Sequence, residues 1–69
     1  MRAVRPAEIK RVRDELGMTQ AEFAEAFHLS RRTIEKWERG GSEPTGPAGV
    51  LMRLITRIPR QIIKALKDG

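Results

Sequence analysis

Sixty-nine residues, 33% of them charged and 39% hydrophobic, are enough for one small folded domain over residues 1–69, with a core so limited that stability depends on tight packing or oligomerisation. A net charge of +5 and a pI near 10.8 favour polyanionic partners, nucleic acid first, and the absence of cysteine excludes disulfides and thiolate metal sites. No apolar run is long enough to span a membrane and the N-terminus lacks a signal-peptide core, so a cytoplasmic protein without membrane contact is expected.

Residues 1–5 form a short basic arm, read as a frayed terminus in preference to a phosphate contact. Pro6 suits the first position of a helix and Glu8 its positive end. Ile9, Val12 and Leu16 share one face of that helix, and Gly17 ends it. Thr19 is placed as the next N-cap, with Glu22 where a capping-box partner belongs. The second helix then runs from Gln20 to about Phe27, with Phe23, Ala24 and Phe27 on one side. His28 and Leu29 make a turn. Ser30 caps a third helix, Arg31 to Arg39, and Gly40 supplies its left-handed stop. Residues 40–46 are a turn region in which Thr45 is the expected N-cap, with Pro47 in the first turn. Helix four carries Leu51, Leu54, Ile55 and Ile58 on one face. Pro59 ends it and begins helix five, which runs to about Lys67 and shows Ile62, Ile63 and Leu66. The expectation is an all-α chain of five helices, without strands or repeats.

The third helix is the informative one. At about 100° per residue, Ile34 and Trp37 mark a buried face. Arg32, Lys36 and Arg39 project from the opposite face. Arg32 and Lys36 lie four apart and repel each other in an isolated helix, a repulsion that an anionic partner relieves. A short helix with a cationic outer face, braced by another short helix, matches the geometry that fits the DNA major groove.

The stretches TQAEFAEAF, LSRRTIEKWERG and EPTGPAGVLMRLI resemble the Cro/repressor (XRE-type) helix-turn-helix family. The TQ opening, the internal FA and the S..TI..WE.G of the third helix all fall at that family's spacing. The continuation P.GPA..L..LI..IP resembles more narrowly antitoxins of the HigA type and the DNA-binding half of MqsA-type antitoxins. The resemblance covers roughly Ile9 to Leu66. It implies a five-helix Cro/repressor-like fold and a sequence-specific regulator of transcription that binds double-stranded DNA. It further implies a repressor that is the antitoxin, or its DNA-binding part, of a type II toxin–antitoxin operon, acting on its own promoter. The partners it implies are an inverted-repeat operator, a second copy of the chain in a homodimer, and a small RelE-like toxin. The alternative is a stand-alone phage-type or metabolic repressor with no toxin partner. HigA-type relatives usually carry further toxin-contacting residues, and MqsA-type proteins a preceding zinc domain. With neither present in this sequence, a minimal version or a fragment of something longer is expected.

Arg and Lys pair well with guanine O6 and N7, so Arg31, Arg32, Thr33 and Lys36 are the candidates for base contacts. Arg32 and Lys36 lie at the centre of the face, Arg31 and Thr33 toward its edges. The bland reading is a solvated surface. Glu35 sits four after Arg31, where it can pair with it, and is left out of the site. Phosphate contacts fall to Gln20, Ser30, Arg39 and Arg53. In Cro/repressor-like proteins the residue matching Gln20 touches the DNA backbone and sometimes braces a recognition-helix side chain. Ser30 divides between cap and phosphate contact, and Arg39 between phosphate and its own helix end.

Trp37 shares the Ile34 face and is assigned to the core, not to base stacking. His28 is assigned to the turn, and no metal or cofactor site is expected. The series Arg53, Arg57, Arg60, Lys64 and Lys67 reads first as a solvated face, with phosphate or an acidic partner as the sharper reading. Ile62, Ile63 and Leu66 are the expected dimer contact. The acidic stretch of Asp14, Glu15, Glu22 and Glu25 is a candidate surface for a basic toxin. Enzymatic activity is not expected: the chain has a single histidine, no cysteine or tyrosine, no glycine-rich phosphate loop and no carboxylate pair spaced for acid–base work.

Overall fold

The computed structural model describes residues 3–69. Five helices follow in order, α1 (Pro6–Glu15), α2 (Gln20–Ala26), α3 (Arg31–Arg39), α4 (Gly46–Arg57) and α5 (Pro59–Asp68), and there is no strand among the described residues. α3 packs against α1 and α2, α4 against α1, and α5 mainly against α4.

Local chemistry sets the boundaries. Thr19 Oγ1 accepts the Glu22 N–H at 3.1 Å, and a Glu22 carboxylate oxygen accepts the Thr19 N–H at 2.9 Å. This reciprocal box satisfies two orphan amides at the start of α2. Ser30 caps α3 by accepting the Thr33 N–H at 3.1 Å. Thr45 stands at the N-cap of α4, but its hydroxyl makes no capping bond, so the expected cap there is positional only. α2 stops one residue earlier than expected, with Phe27 as its C-cap.

α1, α2 and α3 end in the same way. In each, one amide bonds back three residues and the next bonds back five: Gly17 to Asp14 and Met18 to Arg13, His28 to Glu25 and Leu29 to Ala24, Gly40 to Trp37 and Gly41 to Lys36. The motif needs a left-handed residue at its centre. Gly17 and Gly40 supply it freely at φ 67° and 81°, whereas His28 adopts φ 58° with a Cβ attached. The turn between α2 and α3 is therefore tight and carries local strain.

The core is formed by Val4, Ile9, Val12, Phe23, Ala24, Phe27, Ile34, Trp37, Met52 and Ile55. Phe23 and Phe27 meet with ring centroids 4.8 Å apart, tilted by 57°, a geometry that suits the ring quadrupoles. Two expectations are corrected here. The N-terminal arm is not frayed throughout: Val4 is 3% exposed, and the Arg5 N–H donates to Glu8 at 3.3 Å. Met1 and Arg2 lie outside the described residues. On α4 the buried face belongs to Met52 and Ile55, whereas Leu54 and Ile58 are 43% and 39% exposed. The apolar residues of α4 cover more than half its circumference. Packing against α1 and α5 selects the Met52 side and leaves Val50, Leu54 and Ile58 outside. α5 has no fully buried residue; Ile62 and Ile63 are half-buried against the core.

One polar contact ties the first three helices together. Arg13, in the last turn of α1, donates from Nε and Nη2 to the two carboxylate oxygens of Glu38 on α3, each at 2.9 Å. Its Nη1 donates to the Met18 carbonyl at 3.1 Å. The side chains are 14% and 9% exposed. Donation to the Glu38 carboxylate raises the Arg13 pKa above its already high ordinary value, outweighing the opposing effect of burial, so the guanidinium keeps its charge throughout the ordinary pH range.

Two outcomes follow from these contacts. His28→Gly removes the left-handed strain and should stabilise the fold by about 1 kcal/mol, raising Tm by roughly 4–8 °C for a domain of this size; calorimetry checks it. Glu38→Ala leaves a mostly buried guanidinium unpaired and should cost about 3 kcal/mol or more, whereas the double substitution Arg13→Met, Glu38→Met leaves no charge behind and should cost far less. Urea midpoints of the two variants measure the difference.

Candidate nucleic-acid interface

α3 is an anchored helix with one free face. Ile34 and Trp37 are buried in the core, and Glu38 is clamped by Arg13. Arg31, Arg32, Lys36 and Arg39 are exposed. At about 100° per residue, Arg32, Lys36 and Arg39 form a single stripe. Among the described residues none of these three has an ion-pair partner, so the stripe presents uncompensated positive charge to solvent.

The flanking candidates are more constrained. Arg31 Nε lies 3.1 Å from Glu35 Oε1, with the side chains 66% and 40% exposed; a surface pair of this kind is weak and exchangeable. Thr33 is half-buried, and its hydroxyl is 2.7 Å from that of Ser30. Both hydroxyls thus already have a partner within the cap.

Gln20 opens α2 beside the Arg13–Glu38 pair. Its Nε2 donates to Glu38 Oε1 at 3.4 Å, a brace between α2 and α3. A shallow depression of about 470 Å³ is lined here by Arg13, Thr19, Gln20, Ala21 and Arg31. The structure thus brings Gln20 against Glu38 in the last turn of α3, with Arg31 lining the same depression. It sets Arg53 elsewhere: Arg53 Nη1 lies 3.6 Å from Glu8 Oε2, with the side chain 17% exposed, on the seam between α4 and α1. Charge periodicity along α4 carries no information about that pairing.

The remaining candidates lie on other surfaces. Leu66 is 36% exposed and lines an open groove with Glu25, Ala26, His28, Ile63 and Lys67. Ile62 and Ile63 are partly consumed by the core. Asp14, Glu15, Glu22 and Glu25 are exposed, but Glu22 caps its own helix and Glu15 lies 3.8 Å from Arg11. Among the described residues no group of three or more His, Asp or Glu is placed to hold a metal ion, and no helix is long and apolar enough to cross a membrane. Sequence reasoning missed Arg13 and Glu38. Their only signal is opposite charge at a separation of 25 residues, which many pairs in this chain share.

A helix-turn-helix family profile matches residues 9–48, the span from α1 to the start of α4. The chain is 39% identical over 59 residues to the antitoxin HigA-2 of Vibrio cholerae, a match covering 86% of this chain and 57% of that protein. It is 56% identical over 43 residues to the type II methyltransferase M.SsoII of Shigella sonnei, covering 58% of this chain and 11% of the enzyme. The chain thus spans little more than half the length of one curated relative and about a tenth of the other. Among solved structures, an XRE-family-like helix-turn-helix protein from Agrobacterium tumefaciens superposes with a TM-score of 0.77 at 37% identity, over 86% of this chain and 95% of that one. The fold, the α2–turn–α3 unit and these matches agree: the chain belongs to the XRE-type helix-turn-helix family.

Proposed function

We propose that this chain is a sequence-specific transcriptional regulator that binds duplex DNA with α3 in the major groove. The observation that carries the reading is the unpaired stripe of Arg32, Lys36 and Arg39 on a helix whose other face is fixed in the core. Arg32 and Lys36 are the central base readers. Arg31 contributes once its surface pair with Glu35 opens, and Thr33 acts at the edge. Gln20, Ser30 and Arg39 meet phosphate and set the register. Arg53 adds positive charge, and reaches a phosphate only by leaving Glu8.

One recognition helix reads few base pairs, so useful specificity needs two half-sites about 34 Å apart and a two-fold dimer. Exposed Leu66 is the chosen dimer contact, with Ile62 and Ile63 behind it. The biological role we propose is that of an antitoxin, or its DNA-binding part, repressing its own toxin–antitoxin operon. The resemblance of residues 43–59 to antitoxins and the similarity to HigA-2 support this role over that of a stand-alone repressor. A small RelE-like toxin would dock away from Arg32 and Lys36, with the acidic residues 14–25 as its surface.

Arg32→Ala or Lys36→Ala should each cost roughly 1–3 kcal/mol on the cognate site and relax the consensus at particular base pairs. Binding-site selection checks this, and an unchanged consensus for Arg32→Ala removes that residue from the readout. Leu66→Asp should weaken binding to the full operator without loss of the fold. Sedimentation that finds a single copy on one half-site, bound as tightly as on the whole operator, would overturn the dimer. For the biological role, the native promoter is placed before a reporter. Wild type should repress, and the Arg32→Ala, Lys36→Ala double variant should not. Equal expression with both, and no toxin gene adjacent, favours a regulator of distant genes.

A further inference from the structure

We infer that Glu38, on the recognition helix, is a positioning residue for phosphate capture by Gln20. The inference rests on the reading that Gln20 meets the DNA backbone. A glutamine amide is ambivalent: its oxygen accepts and its nitrogen donates, and the two ends are nearly equal in size. A phosphate takes only a donor. An unrestrained Gln20 would therefore present the wrong end part of the time, and would lose rotamer freedom on binding.

The structure removes that ambiguity. Glu38 Oε1 lies 3.4 Å from Gln20 Nε2. An ionised carboxylate only accepts hydrogen bonds, so the nitrogen end of Gln20 must turn toward it. One of the two amide hydrogens is used there, and the other remains for an outside acceptor. Arg13 makes the arrangement compatible with a nearby phosphate. Its two bonds to Glu38 neutralise the carboxylate, which would otherwise repel the anion. Its Nη1 donates to the Met18 carbonyl, so three of the five guanidinium N–H groups are engaged within the fold. Because Glu38 shares α3 with Arg32 and Lys36, the phosphate contact from α2 and the base contacts from α3 belong to one rigid unit.

The test uses the full chain and a duplex of its selected binding site carrying single methylphosphonate substitutions, scanned position by position. In the wild type, one position per half-site should weaken binding roughly tenfold through Gln20, the size of one hydrogen bond to a charged group. Gln20→Ala should lose sensitivity at that position alone. Arg13→Met, Glu38→Met, which removes the acceptor and leaves no buried charge, should lose it at the same position with an unchanged base consensus. A clamp that merely holds the fold would instead weaken binding evenly across all positions, and that result overturns the inference, as does retention of wild-type sensitivity by the double variant. Nuclear magnetic resonance of the free wild-type protein supplies a reading that needs no variant. The Gln20 side-chain amide should be ordered, whereas exposed Gln61 serves as the mobile control; equal mobility overturns the inference. Tight wild-type binding with no position lost by Gln20→Ala overturns it while leaving the DNA-binding reading intact. Absence of any duplex binding by the wild type overturns both.

Discussion

The constraint shared by the first three helices is the bidentate pair between Arg13 and Glu38. It joins the end of α1 to the last turns of α3 across 25 residues of sequence, and the third guanidinium nitrogen reaches the Met18 carbonyl just before α2. Replacing such a pair with apolar residues is often neutral in stability, so its contribution is better sought in arrangement than in net energy. A planar fork matched to a carboxylate suits one arrangement of the two side chains. Ile34 and Trp37, buried in the core, seat α3 and set the direction of the cationic stripe. The pair sets where the Glu38 carboxylate stands beside Gln20.

The short turn between α2 and α3 supplies the second constraint. Only a few residues separate the helices, and their backbone bonds require a left-handed residue at position 28. Histidine meets that requirement at a cost that glycine would not incur. Phe27, immediately before it, is buried against Phe23, so the strained residue is held between a core aromatic and the cap at Ser30. Helix, turn and helix are thus packed together, and Glu38 adds a contact from α3 to the side chain of Gln20.

A chain this small cannot cover all its apolar surface. The inner face of α4 completes the core through Met52 and Ile55, while Val50, Leu54, Ile58 and Leu66 remain outside on α4 and α5. This division leaves α1, α2 and α3 as the well-buried part and α5 as an appendage with no fully buried residue. The last helix is thereby free to present a surface without disturbing the recognition helix.

The elements and most of the α3 face are legible in the local pattern of residues. Caps, helix-stopping glycines and Pro59 act through bonds spanning a few residues, so their pattern can be read locally. The alternation of Ile34 and Trp37 with Arg32, Lys36 and Arg39 is a property of one helix and needs no partner to be seen. Tertiary structure decided what depends on contact between distant residues. It drew Val4 into the core, chose Met52 over Leu54 on a helix apolar on more than one side, and assigned Arg53 to Glu8. It also brought Arg13, Glu38 and Gln20 together. Charge and hydrophobicity say that a residue seeks a partner or a buried place; which partner, and which place, is set by the packing of helices, where many candidate pairs are equivalent in sequence and only a few can meet.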